Sequence, residues 1–153
     1  AKNKDAFQSI MMMEETNNTL VSFCHRLLNK HGYHNFAKTT YVYTLIWLLE
    51  NLADYYRDIL KSFVEKNLEM NYKDDILGYL NEANQHLRNF YELFYKIYND
   101  KLQGMSARGK ELFPELMDRM SNSTKSELYM LYHINLIRGT IRDAVGSILG
   151  LKI

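Results

Sequence analysis

The sequence is short of most things that would narrow its function quickly. It has one cysteine, Cys24, so no intrachain disulfide can form, and a reducing, cytoplasmic setting is expected. Its neighbours are apolar at helical spacing, which predicts a small buried hydrophobe. It has one proline, Pro114, and seven glycines in 153 residues, too few for a turn-rich β fold. Lys plus Arg number 19 against 18 Asp plus Glu, and this balance lacks the basic excess of a nucleic-acid surface. No signal-peptide pattern and no apolar run of about 18 residues is visible. Membrane insertion is therefore not expected. The greasiest window, TLIWLLENLA, is interrupted by Glu50.

Helix formers dominate what is present: Leu, Met, Glu, Lys and Arg. The twelve tyrosines and seven phenylalanines recur at helical rather than alternating spacing. The pattern predicts an all-α chain of five helices, at about 5–30, 35–66, 74–102, 106–120 and from Lys125 to about Gly150. Gly32 offers a left-handed cap to the first helix, and Asn35 is a candidate N-cap for the second. EKNLEMNYKDD has no sustained period and is expected to break the second helix. The third is expected to stop before Gly104, and Pro114 to kink the fourth or mark a late first turn. Thr124 and Glu127 have capping-box spacing before the fifth.

The second helix carries a regular seam of Val42, Leu45, Leu49, Leu52, Tyr56, Ile59 and Phe63. At about 100° per residue, Glu50 and Asp54 lie on its flank. An offset of 89 residues superposes Asp54 on Asp143 and maps the seam onto Leu131, Ile134, Arg138, Ile141, Val145, Ile148 and Lys152. The same offset carries Phe23, Cys24, Leu27 and Leu28 onto Leu112, Phe113, Leu116 and Met117. This predicts two three-helix units, a partial first repeat over 1–68 and a second over 72–153. The offset places the counterpart of the third helix mostly before residue 1, so the first unit is expected to lack a helix.

These residues resemble a known family. LLENLADYYRDIL looks like the signature helix of PhoU, the phosphate-uptake regulator, whose repeats carry a Glu/Asp-x-x-x-Asp motif matched here by Glu50 and Asp54. LIRGTIRDAVGSI resembles the second copy, with Asp143 kept and Gly139 where the first acid belongs. EETNNTLVSFCHRLL looks like the preceding family helix, especially in archaeal members that carry an AbrB-like DNA-binding domain ahead of it. The resemblance implies an antiparallel helical bundle of three-helix repeats, often dimeric and without catalysis. It further implies transcription-linked control of phosphate import through the transporter and its sensor kinase. It also implies metal binding, as iron, zinc or manganese, through the acidic motifs. DNA binding would need another domain.

On the residues themselves, carboxylates at i and i+4 share one side of a helix and suit joint ligation if a second helix contributes. Glu50 and Asp54 are the leading metal candidates, with Glu14, Glu15, Asn18 and Asp143 secondary. The alternative is a solvated face in which Asp54 pairs with Arg57 and Asp58 with Lys61. Asp143 stands beside Arg138 and Arg142, a setting for ion pairing rather than ligation. His25, His31 and His34 cluster at a turn without the second Cys or His pair of a zinc site. Glu82 and His86 lack the Glu-x-x-His spacing of di-iron bundles. With no nucleophile motif and no glycine-rich phosphate loop, no enzyme is expected. The stripe Phe90, Tyr91, Phe94, Tyr95 and Tyr98 reads as core or oligomer seam. A simple dimerisation module is a third reading.

Overall fold

A computed structural model describes residues 2–65 and 74–152 of the chain. Those residues form five long helices: α1 (Lys2–His31), α2 (Thr39–Glu65), α3 (Asp74–Tyr95), α4 (Asn99–Ser121) and α5 (Lys125–Lys152). A single 3₁₀ turn, Phe36–Lys38, leads into α2. None of the helices is long and apolar enough to cross a membrane. Most of the break expected over EKNLEMNYKDD lies outside the described residues, as does the side chain of Phe63.

Local signals set the helix ends where they are strong. Gly32 adopts φ +69°, and its N–H donates to the Leu28 carbonyl at 2.8 Å, closing α1 as expected. At the start of α5 both halves of the capping box form. The Thr124 N–H donates to the Glu127 carboxylate at 2.9 Å, and the Glu127 N–H donates to the Thr124 hydroxyl at 3.3 Å. Those bonds and Arg119 hold the Glu127 carboxyl down at about 2. Asn35 caps the 3₁₀ turn without a side-chain bond, and α2 begins four residues later than the sequence predicts.

One boundary moves substantially. The break expected near Gly104 occurs at 96–98, and α4 starts at Asn99 and runs through Gly104, Gly109 and Pro114. Residues 96–98 contain no glycine or proline, so nothing local announces the turn. It is made by packing: α3 ends so that α4 can fold back and bury Leu112 and Leu116 fully. Ion pairs then tie the two helices side by side, Glu92 to Lys101, Glu82 to Arg108 and Asp75 to Arg119.

Cross-helix bonds give the directions. Lys38 Nζ, just before α2, donates to the Leu151 carbonyl at 2.7 Å, while the Tyr129 hydroxyl near the start of α5 donates to the Asp58 carbonyl at 3.3 Å. Thus α2 and α5 run antiparallel, and theirs is the most extensive helix contact. Helix α5 is the hub, packing against α2, α3 and α4, and α1 packs against α2. That is why Leu131, Ile134 and Ile137 of α5 are all fully buried.

The second-unit seam is largely in the core. Leu131, Ile134, Arg138, Ile141 and Ile148 are buried, while Val145 is half-buried and Lys152 exposed. On α2 the inward stripe is Leu45, Leu48, Leu52 and Ile59, whereas Leu49 is 41% exposed, correcting the predicted register. The other helix pair that the offset relates differs in burial. Leu112 and Leu116 are buried, but their counterparts Phe23 and Leu27 are exposed. Helices α1 and α4 therefore present different faces of the aligned pattern.

Candidate functional site

Helices α1 and α2 bring four charged side chains together where the middle of α1 crosses the last turns of α2. The Arg57 guanidinium is the centre. Its Nη1 donates to Glu14 Oε1 at 2.5 Å and to Asp54 Oδ1 at 2.7 Å, and its Nη2 donates to Asp58 Oδ1 at 3.0 Å. Asn18 Nδ2, one turn along α1, adds a bond to Glu14 at 2.7 Å. The Glu14 side chain is only 11% exposed, so this pair sits at the helix interface rather than in open solvent.

Three carboxylates share one cation here, and two of them, Glu14 and Asp54, are shifted in opposite directions. Burial pushes the Glu14 carboxyl up, but the bonds from Asn18 and Arg57 outweigh it and hold the group below its ordinary value. Asp54 is raised instead, because burial and the neighbouring Glu14 and Asp58 anions together exceed the pull of Arg57. An ion pair at 2.7 Å would by itself lower Asp54, so the raised value marks burial first, with the neighbouring anions adding to it.

The sequence-predicted metal candidates are thus only partly gathered. Asp54, Glu14 and Asn18 belong to the cluster, while Glu15 is exposed on the outer side of α1. Glu50 is half-buried one turn before Asp54 and makes no hydrogen bond or ion pair among the described residues. Arg57 lies a full helical turn beyond Asp54 in sequence, yet its long side chain folds back to it. The expected Asp58–Lys61 pair is replaced by Asp58–Arg57. Among the described residues no three His, Cys, Asp or Glu side chains are arranged to hold a metal ion.

On α5 the second acidic copy is separate. Asp143 pairs with Arg142 at 3.3 Å, and both are exposed. Arg138, expected beside Asp143, points the other way, into the contact with α4. It is 8% exposed, and its Nη1 donates to the Gly109 carbonyl at 2.8 Å. Sequence reading placed Arg138 in the apolar seam but did not assign it a buried role. Its position at a core register, between Ile134 and Ile141, was the available signal.

The remaining candidates take structural places. His25 stacks on Tyr43 with ring centroids 3.8 Å apart, and His34 leans on Tyr33. Glu82 is held by Arg108, and burial pulls His86 below its ordinary value. Cys24 is half-buried rather than buried. The aromatic stripe divides: Phe90 of α3 enters the core, while Tyr91, Phe94 and Tyr95 of α3 and Tyr98 beyond its end stay exposed. The fold and this site define the chain as an all-helical bundle with a charge-clamped interhelical face. Comparison with protein families, curated proteins and solved structures gives no match.

Proposed function

We propose that this domain is a non-enzymatic cytoplasmic regulator of phosphate uptake and phosphate signalling that acts through protein contacts. Its working form is a homodimer or higher homo-oligomer, and its targets are a phosphate transporter or the associated sensor kinase. The observation that carries the contact mechanism is the outer stripe of α1. Met12, Met13, Leu20, Phe23 and Leu27 are 43–70% exposed, and Met13, Leu20 and Leu27 recur at heptad spacing. This second seam runs along the side of α1 away from Val21, which faces the bundle. A helix with apolar residues on two sides needs a second partner to cover them. The phosphate assignment rests on the likeness of the Glu50–Asp54 and Asp143 segments to the PhoU signature helices.

Wild-type protein is expected to self-associate at tens of micromolar in sedimentation velocity. Leu20→Glu, which puts a charge in the middle of the stripe, is expected to give a folded monomer. A compact wild-type monomer would remove the contact mechanism. Deleting the gene and finding phosphate uptake and phosphate-responsive expression unchanged would remove the phosphate assignment.

A second reading, metal binding, is favoured by one observation: the unpartnered Glu50 carboxylate one turn before Asp54. A dication bridging them would compete with Arg57 for Asp54, so affinity should be modest. Elemental analysis after soaking with zinc, manganese or iron tests it. Stoichiometric metal that is lost in Glu50→Gln and kept in Asp143→Asn would support it, and metal-free protein in every case would discard it.

A further inference from the structure

Helices α4 and α5 are bridged by Arg119–Glu127 beside the turn that joins them and by Arg138–Gly109 near the middle of both. Beside the latter contact lies a cleft of about 960 Å³, within the range of small-molecule sites. Its walls are mainly apolar, formed by Met105, Phe113, Ile141, Val145 and Leu149. Arg138 lines the same cleft, with its guanidinium 5.5 Å from the centroid of the Phe113 ring.

The charge state of Arg138 is the unusual feature. Nη1 and Nη2 donate to neutral acceptors, the Gly109 carbonyl and Asn135 Oδ1. Nε is buried and has no partner among the described residues. Among the described residues no carboxylate pairs with the guanidinium. Glu82, an acid of the facing helix α3, is already bound by Arg108. The other titratable groups lining the cleft are basic: Lys110, Arg142 and His86. Burial and the nearby Arg142 pull Arg138 down from its ordinary value, the direction expected of a cation without a counter-ion. A buried cation is normally paired, because desolvation without compensation is costly. The neighbouring charges therefore leave a place for one anion.

We infer that the cleft binds a small-molecule monocarboxylate with an apolar, acyl-like body, its carboxylate taking the remaining N–H donors of the Arg138 guanidinium and its body along Met105, Val145 and Leu149. One unpaired buried cation matches one negative charge, and a guanidinium edge matches the two oxygens of a carboxylate. A phosphate dianion would bring more charge than Arg138 balances and would leave the apolar walls uncovered. Lys110, exposed at the cleft, would draw the anion towards it. This inference does not depend on the phosphate assignment.

Isothermal titration of the whole chain with decanoate, decanol and inorganic phosphate tests it. Decanoate is expected to bind saturably at one per chain, and decanol and phosphate to bind more weakly by about tenfold or more. Arg138→Met should weaken decanoate by a similar factor. Gly146→Leu provides a second variant, since Gly146 lines the cleft and a Cβ there meets nothing within 4 Å. Its added side chain should block decanoate while helical circular dichroism and Tm are maintained. Should Arg138→Met fail to fold, Gly146→Leu alone decides. Absent decanoate binding, equal binding in folded variants, equal binding of decanol, or phosphate as strong as decanoate would each overturn the assignment.

Discussion

Arg57→Met is expected to destabilise the domain by about 2 kcal/mol at pH 7, measured by urea denaturation. Loss of one partner from a buried pair costs about 3–5 kcal/mol, and the 21% exposure of the Arg57 side chain reduces that figure. The methionine keeps much of the apolar stem, so the loss is mainly electrostatic. It would strand Glu14, Asp54 and Asp58 together with no guanidinium between them.

The effect should depend on pH in a direction set by Glu14. In the wild type its carboxyl is held below 4.5, so the stability it contributes is fully present above that value. It is lost as the pH falls through the lower folded value. In the variant the two Arg57 contributions vanish, and burial, which raises the group, is opposed by Asn18 and the more distant Lys61 alone. Asp54, already raised in the wild type, rises further without Arg57. Protonation then relieves the repulsion, so the variant gains stability relative to the wild type as the pH is lowered from 7 towards 4.5, the ordinary value for Glu14. A difference between the two proteins that stays constant or widens over that interval would refute this account of the cluster.

Leu48→Ala is expected to cost about 3 kcal/mol, and Leu49→Ala no more than about 0.5 kcal/mol. Leu48 is 6% exposed and belongs to the core cluster with Leu45, Leu52 and Ile134, so its loss leaves a cavity. Leu49 is 41% exposed, and truncating it removes little buried surface. The two residues are adjacent and chemically identical, so helix propensity cancels between them. Equal costs, or a larger cost at Leu49, would mean that α2 is rotated by about 100° from the orientation described.

That pair also shows how far the sequence could be read. Helix α2 has more apolar residues than one stripe requires: Val42, Leu49 and Tyr56 form one heptad series, and Leu45, Leu52 and Ile59 another. Both series satisfy a helical period, and the period alone does not say which of them faces a neighbour. The choice is made by α5, which packs against the Leu45–Leu48–Leu52 side. The candidate site had the same ambiguity. The spacing of Glu50 and Asp54 was visible, as was Arg57 as an ion-pair partner of Asp54. The approach of Glu14, 43 residues away from Arg57, was not.

The sequence by itself determined the features that depend on a few consecutive residues. These are the helical character of the chain, the Gly32 terminus of α1, the Thr124–Glu127 box that opens α5, and the buried series Leu131, Ile134, Ile141 and Ile148. The first three follow from backbone conformational preference or from hydrogen bonds spanning about one turn, and the series from apolar residues recurring at helical spacing. Tertiary structure alone decided the α3–α4 break, the inward face of α2, the sharing of Arg57 among three acids and the burial of Arg138 against α4. Those outcomes depend on the free energy of contacts between segments distant in sequence. A break without glycine or proline, or a cation in an apolar seam, becomes favourable only once the neighbouring helix is in place.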